Sequence, residues 1–147
     1  MQTAVNVASV ASVIQLAVAP VFLLTGIGAI LTVLTNRLAR VVDRFRVLSD
    51  LSSEEQSAYK QEMTTLSLRA RWVHWAVSLC TLAALLVCIV VAALFVGSEI
   101  SIAPSRAISL LFISAMLTLI LGLLCFLREI FLATGSIETR TKKRPLP

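Results

Sequence analysis

The stretch Asn36-Arg-Leu-Ala-Arg-Val-Val-Asp-Arg-Phe-Arg-Val-Leu48 follows directly on a long apolar run, and it decides the fold. It carries four arginines and one acid, yet apolar residues recur through it at steps of four and three. These apolar positions are Leu34, Leu38, Val41, Phe45 and Leu48. Such spacing places one apolar stripe along a helix. The sequence therefore predicts that a membrane-spanning helix continues into a basic, amphipathic helix outside the bilayer.

The composition is that of a membrane protein. Of the 147 residues, 58% are hydrophobic, and the mean hydropathy is +0.92. A spanning helix needs roughly 20 apolar residues, and suitable runs lie at about 10–34, 73–96 and 107–127. The first run has no basic start and is too long for a signal peptide, so we expect it to be retained. The predicted class is all-α, with three transmembrane helices.

The basic residues predict the orientation. Seven of the thirteen lie in the 36–71 loop and five lie at Arg128 and beyond, whereas the segment before the first span has none. The positive-inside rule then places the N-terminus outside and both the loop and the C-terminus in the cytoplasm. The net charge of +5 favours anionic lipid at the inner face as a partner and does not require nucleic acid. We expect one membrane domain over 1–135, closed by Gly135, and a basic disordered tail over 136–147.

The loop itself has the pattern of a helical hairpin. Apolar residues in its second half recur with the same steps of four and three as those in its first half, and a short turn joins the halves. We therefore expect a cytoplasmic antiparallel hairpin over 36–71 and one unbroken second helix from about Ser53 to Val96. The predicted seam is Leu38, Val41, Phe45, Leu48, Tyr59, Met63, Leu66 and Ala70. Its extension into the second span is expected along His74, Ser78, Thr81, Leu85, Cys88 and Ala92. The seam could close within one chain or join neighbouring subunits.

The first span has two chemically different sides. Its small and polar side is expected to face protein or a pore, since small residues allow helices to approach closely. Its leucine-rich side is expected to meet lipid; this side carries Leu16, Leu23, Leu24, Ile27, Ile30, Leu31 and Leu34. The third span carries a small-xxx-small pattern. The candidate pore or helix-packing residues are Gln15, Thr25, Gly26, Ala29, Thr32 and Asn36 in the first span, and Ser114, Thr118 and Gly122 in the third.

Three segments carry a family resemblance: Pro20-Val-Phe-Leu-Leu-Thr-Gly26, the Thr35–Arg46 stretch, and Phe126-Leu-Arg-Glu-Ile-Phe-Leu-Ala133. Together they resemble an uncharacterised family of small bacterial three-span membrane proteins, known as a domain of unknown function. The likeness covers roughly residues 20–133. It implies a bacterial inner membrane and brings neither an activity nor functional residues.

The residues offer little for catalysis. One histidine, no acid pair in the spans and no phosphate-binding loop lead us to expect no enzyme, no cofactor and no metal site. Glu129 is the exception, because an acid at the end of an apolar helix must be paired or wetted. Its depth favours Arg37, Arg40 or His74 as partner, and the alternative is an exposed pair with Arg128. His74 is either a pH sensor or a histidine satisfied at the interface.

These observations predict a non-enzymatic, homo-oligomeric inner-membrane protein whose cytoplasmic hairpin mediates assembly or binds a partner protein. The alternative is a homo-oligomeric ion or small-solute channel, with Gln15, Thr25, Thr32 and Asn36 of the first span lining the pore. A third class is a small subunit of a larger membrane complex. The sequence does not assign a physiological role.

Overall fold

The protein consists of three long helices, α1 (Gln2–Ser49), α2 (Ser53–Ile100) and α3 (Ser105–Thr141). The computed structural model describes the backbone of residues 2–51, 53–100 and 105–141, and the side chains of residues 11–51, 59–97 and 106–133. Each helix is long and apolar enough to cross a membrane. The prediction of an all-α protein with three helices that are candidate membrane spans is confirmed, and such helices indicate a multi-pass membrane protein.

Both predicted long helices are unbroken. α1 runs through Pro20 from the apolar run into the basic stretch, and α2 joins the second half of the loop to the second span. The expected stop at Gly135 is wrong, because α3 continues to Thr141. Glycine costs a helix only about 1 kcal/mol and ends it where the chain turns left-handed. Residues 142–147 of the predicted tail lie outside the described residues.

The helices divide between two compact units, each built from a segment of all three helices. The first comprises Met1–Leu31 and Leu79–Ile120, and the second comprises Thr32–Ser78 and Leu121–Pro147. Among the described side chains of the first unit, the only charged one is Arg106; we call it the apolar unit. The second, the charged unit, has eight described basic and four described acidic side chains: Arg37, Arg40, Arg44, Arg46, Lys60, Arg69, Arg71 and Arg128, with Asp43, Asp50, Glu62 and Glu129.

Buried residues of α1 recur every seven positions. Pro20 and Ile27 are buried in the apolar unit, and Leu34, Val41 and Leu48 are buried in the charged unit. Seven-residue spacing is the repeat of left-handed helix packing. The expectation that the leucine-rich side of α1 meets lipid is therefore wrong. That side packs within the chain, and of its seven expected residues only Leu16 is exposed.

The packed face of α2 also differs from the expected one. From Leu66 the buried residues continue through Val73 and Ala76 in the charged unit, and through Cys80, Ala83, Val87 and Val90 in the apolar unit. All six residues of the expected extension are exposed: His74, Ser78, Thr81, Leu85, Cys88 and Ala92. The extension continued from Ala70, at the edge of the seam, whereas the buried stripe continues from Leu66 at its centre. Thr81, for example, lies one residue after the buried Cys80, and a shift of one residue rotates the predicted face by about 100°.

Candidate functional site

Each helix contributes one charged side chain to a buried ion cluster in the charged unit. Glu129 of α3 is fully buried, with 0% of its surface exposed. Arg69 of α2 donates to Glu129 Oε1 from Nη2 at 2.9 Å and from Nε at 3.2 Å. Arg37 of α1 places Nη1 3.0 Å from the other carboxylate oxygen, Oε2. We call Arg37, Arg69 and Glu129 the Glu129 cluster, and it connects the segments of three helices.

The contact of Arg37 is an ion pair without hydrogen-bond alignment. Its Nη1 lies at 3.0 Å from Oε2, yet Oε2 accepts no hydrogen bond from the described residues. The two facts agree because Coulomb attraction depends on distance, whereas a hydrogen bond also needs a favourable angle. The Arg37 guanidinium carbon also lies 5.4 Å from the centroid of the Phe126 ring, within the range of a cation–π contact. Two guanidinium groups around one carboxylate leave the cluster with a surplus positive charge.

Antiparallel packing of α1 on α2 sets the register of the cluster. Arg37 and Arg69 meet at Glu129, and seven residues further along α1 Arg44 pairs with Glu62, seven residues back along α2. Arg44 Nη2 lies 3.0 Å from Glu62 Oε1, and Arg44 Nε donates to the same oxygen at 3.1 Å. This pair is more exposed than the Glu129 cluster, since Arg44 keeps 48% of its side-chain surface. The two arms therefore run in opposite directions.

An apolar cluster lies between the same arms. Val41, Leu48 and Leu66 form its buried centre, and Leu51, Met63 and Ala70 pack against it. The structure thus closes most of the predicted seam within one chain. Leu38 is half-buried, while Phe45 and Tyr59 keep 38% and 42% of their surface exposed and lie outside the centre.

Only part of the predicted ion-pair set comes together. Arg37 reaches Glu129, but Arg40 and His74 are exposed and do not join the cluster. The alternative of an exposed Arg128–Glu129 pair is wrong, because Glu129 is buried and the Arg128 guanidinium lies 5.8 Å from the centroid of the Trp72 ring. Sequence reasoning missed Arg69. An antiparallel register that joins Val41 to Leu66 would have placed Arg69 opposite Arg37.

The candidate packing residues of α3 lie on its packed side. Ser114 and Thr118 are half-buried in the apolar unit, and Gly122 is buried in the charged unit. The hydroxyl groups of Ser114 and Thr118 donate to backbone carbonyls of their own helix, that of Ser114 to Leu111 and that of Thr118 to Ser114, both at 2.7 Å. These hydroxyls are satisfied within α3 and need no hydrogen-bond partner on another helix.

The candidate residues of α1 are all exposed, on the side of the helix opposite its buried repeat. Five of them lie two, five or six positions after a residue of that repeat, and Gln15 lies five positions before Pro20; these offsets correspond to the far side of a helix. We call these residues the small-polar face of α1: Gln15, Thr25, Gly26 and Ala29 in the apolar unit, and Thr32 and Asn36 in the charged unit. A Cβ built at Gly26 meets nothing within 4 Å.

The polar groups of this face differ in how they are satisfied. Thr25 Oγ1 donates to the carbonyl of Val21 at 3.4 Å. The side-chain amides of Gln15 and Asn36 make no hydrogen bond to any residue that the structure describes. Amides have both donors and acceptors. Gln15 in particular needs a partner or water if its part of α1 lies in the hydrocarbon.

Among the described residues there is no group of three or more His, Cys, Asp or Glu side chains that could hold a metal ion. The three cysteines form no disulfide; Cys80 is buried, Cys125 is half-buried and Cys88 is exposed. The described residues thus present a buried ion cluster, an apolar seam between two helices and an exposed small-polar face.

No curated protein and no solved structure matches this chain. The family described as "Protein of unknown function (DUF2721)" matches residues 17–139, a range that contains the Glu129 cluster, the hairpin and most of the small-polar face. The match covers most of the chain and confirms the resemblance found in its motifs, so this protein belongs to the DUF2721 family of proteins of unknown function.

Proposed function

We propose that this protein is a non-enzymatic, homo-oligomeric protein of the bacterial inner membrane. In this proposal the small-polar face of α1 joins the subunits, and the helical hairpin formed by the arms of α1 and α2 is a cytoplasmic interaction module. The N-terminus lies outside and the C-terminus in the cytoplasm. The exposed small-polar face is the observation that carries the proposal.

A second copy of the chain suits this face better than lipid does. Lipid tails cannot hydrogen-bond the Gln15 amide, whereas the same amide on a second copy can. One such bond between membrane helices contributes only about 0.6–2 kcal/mol, so close packing must supply the rest. The open space at Gly26 permits that packing. Identical subunits that associate through the same surface form a closed, symmetric oligomer.

The hairpin is the second part of the proposal. Its seam is occupied within the chain by Val41, Leu48 and Leu66, so a partner would bind its outer surface. That surface presents apolar side chains between the charges, namely Val42, Phe45, Val47, Tyr59 and Leu68. The Glu129 cluster joins both arms to α3 and gives the hairpin a defined position within the charged unit. The excess of basic residues supports its cytoplasmic location.

A matched pair of glycine variants tests the assembly. Gly26 lies on the small-polar face and Gly28 lies beside it, and a Cβ at either position meets nothing within 4 Å in the single chain. We expect native mass spectrometry from lipid nanodiscs to show an oligomer for the wild type and for Gly28→Leu, and monomers for Gly26→Leu. A monomeric wild type, or equal behaviour of both variants, would contradict the proposal.

A channel is the second candidate, because the exposed polar residues Gln15, Thr25, Thr32 and Asn36 could line a pore. Bilayer recording on the same oligomeric preparation separates the two functions. A channel predicts unitary currents that Gln15→Leu abolishes while the oligomer persists. The assembly proposal predicts no unitary current from wild-type oligomers.

A further inference from the structure

We infer that the α2–α3 surface around Trp72 and Arg128 binds the phosphate of an anionic phospholipid headgroup. This surface, the Trp72–Arg128 surface, lies within the charged unit and takes no part in the proposed contact between subunits. The inference depends on how Arg128 is held, on the local balance of charge and on the side chains beside it.

Arg128 is held by an aromatic ring instead of an acid. Its guanidinium carbon lies 5.8 Å from the centroid of Trp72, in cation–π range. One turn back along α2, Arg69 binds Glu129, the residue that follows Arg128 on α3. The two guanidinium groups are therefore held at neighbouring levels of one α2–α3 contact. Arg128 has no carboxylate partner among the described residues, so its N–H groups remain available to a phosphate, which a guanidinium can bind through two donors.

The local charge is not balanced by the protein. Glu129, the residue next to Arg128 on α3, is already paired with both Arg37 and Arg69. Within the described residues no carboxylate lies within 4.0 Å of Arg128 or of Arg71, which follows Arg69 on α2. The nearest described acid along α2, Glu62, pairs with Arg44. None of the described acids therefore supplies a counter-ion for Arg128, whereas a phosphodiester would supply one negative charge with several acceptor oxygens.

The side chains beside Arg128 favour a lipid as the source of that phosphate. Trp75, one turn beyond Trp72, is 56% exposed, and Leu124 and Leu127 on α3 are exposed as well. Tryptophan is enriched at headgroup depth, where its ring is apolar and its N–H can bond. Apolar side chains next to a guanidinium fit a molecule that carries acyl chains below its phosphate. Inorganic phosphate has no apolar part that could contact these side chains.

The first test measures binding of phosphatidylglycerol and phosphatidylcholine to the full chain in detergent by native mass spectrometry. We expect phosphatidylglycerol to bind more tightly, and Arg128→Gln to weaken its binding about fivefold, the factor for roughly 1 kcal/mol per basic residue. Arg46→Gln is the matched control, since Arg46 is an exposed arginine on the arm of α1. Arg46→Gln should leave the affinity for phosphatidylglycerol within about twofold of the wild-type value, because the charge of a residue outside the site is screened.

Arg128→Lys and a fluorescence experiment keep the test decisive if Arg128→Gln unfolds. Arg128→Lys retains the charge and should bind phosphatidylglycerol more tightly than Arg128→Gln. The chain has two tryptophans, so in Trp75→Phe the emission comes from Trp72 alone, and phosphatidylglycerol with a spin-labelled headgroup should quench it.

Several outcomes would overturn the inference. Equal affinity for the two lipids would do so, as would an equal loss in Arg46→Gln and Arg128→Gln, which would indicate diffuse surface charge. Displacement of the lipid by millimolar inorganic phosphate would assign the site to a soluble anion. Unquenched Trp72 emission would place the headgroup elsewhere.

Discussion

Arg69 directs two nitrogens, Nη2 at 2.9 Å and Nε at 3.2 Å, at one oxygen of the fully buried Glu129, 60 positions away in the sequence. Arg37 occupies the other oxygen. A buried ion pair contributes less to net stability than its short distances imply, because both charges lose their hydration. Its better-supported role is to select one arrangement of the helices. Here that role is to hold the two arms of the hairpin against α3 in one register.

Replacing Glu129 with glutamine should be strongly destabilising. The substitution removes the one carboxylate and leaves Arg37 and Arg69 facing each other in a partly buried site. Breaking a buried pair by removing one partner costs roughly 3–5 kcal/mol. Unfolding in mixed micelles, followed by circular dichroism against increasing denaturant, measures the loss. Glu62→Gln is the control, since the exposed Arg44–Glu62 pair should contribute only about 0–1 kcal/mol. Equal losses in both variants would show that the Glu129 cluster is of no special importance.

Replacing the whole cluster should be less damaging than breaking it. In the triple variant Arg37→Met, Arg69→Met, Glu129→Leu, no charge remains without a partner, and the new side chains are apolar. We expect it to be at least about 2 kcal/mol more stable than Glu129→Leu alone. Denaturant unfolding of the two variants side by side gives the difference. If the triple variant is the less stable of the two, the unpaired arginines are not the source of the loss in Glu129→Leu.

The buried residues between the two arms should contribute more to stability than the exposed ones. Leu66 is buried at 7% exposure between the arms, whereas Leu68, two residues along α2, is 40% exposed. Leu66→Ala should cost about 2–5 kcal/mol, since it leaves a cavity, and Leu68→Ala less than about 0.5 kcal/mol. Limited proteolysis of membranes reports on the hairpin directly, and the Leu66 variant should be cleaved faster. Equal cleavage rates would place the stabilising contacts of the hairpin outside this seam.

The sequence predicted the features that depend on spacing along one helix. The steps of four and three around Val41 and Leu66 were enough to predict the long helices and the paired arms. Glu129 was identified as a residue that needs a partner, and Arg37 was among the partners expected for it. These inferences depend only on helical periodicity and on the cost of an unpaired charge in an apolar setting.

The errors concern which face of a helix meets protein. Ile27 and Leu34 were expected to face lipid, but an apolar side chain packs equally well against lipid tails and against another helix. Hydropathy therefore cannot separate the two surroundings in a membrane protein. Arg69 was missed for a related reason, because its contact with Glu129 depends on how three helices align. The seven-residue recurrence of Ile27, Leu34, Val41 and Leu48 was the available signal.

Orientation in the membrane is the last prediction, and it follows from the concentration of described basic side chains in the charged unit. In a background without native cysteines, Lys60→Cys reports on the hairpin and Ala103→Cys reports on the segment between α2 and α3. In spheroplasts, a membrane-impermeant maleimide should label Ala103→Cys at once and Lys60→Cys only after the membrane is permeabilised. In that background the buried Cys80 is replaced with alanine, which removes the thiol without placing a polar group in the interior. The positive-inside rule requires this pattern because basic loops are retained on the cytoplasmic side. The reverse pattern would place the hairpin outside the cell and remove the anionic inner leaflet as the source of the lipid at Arg128.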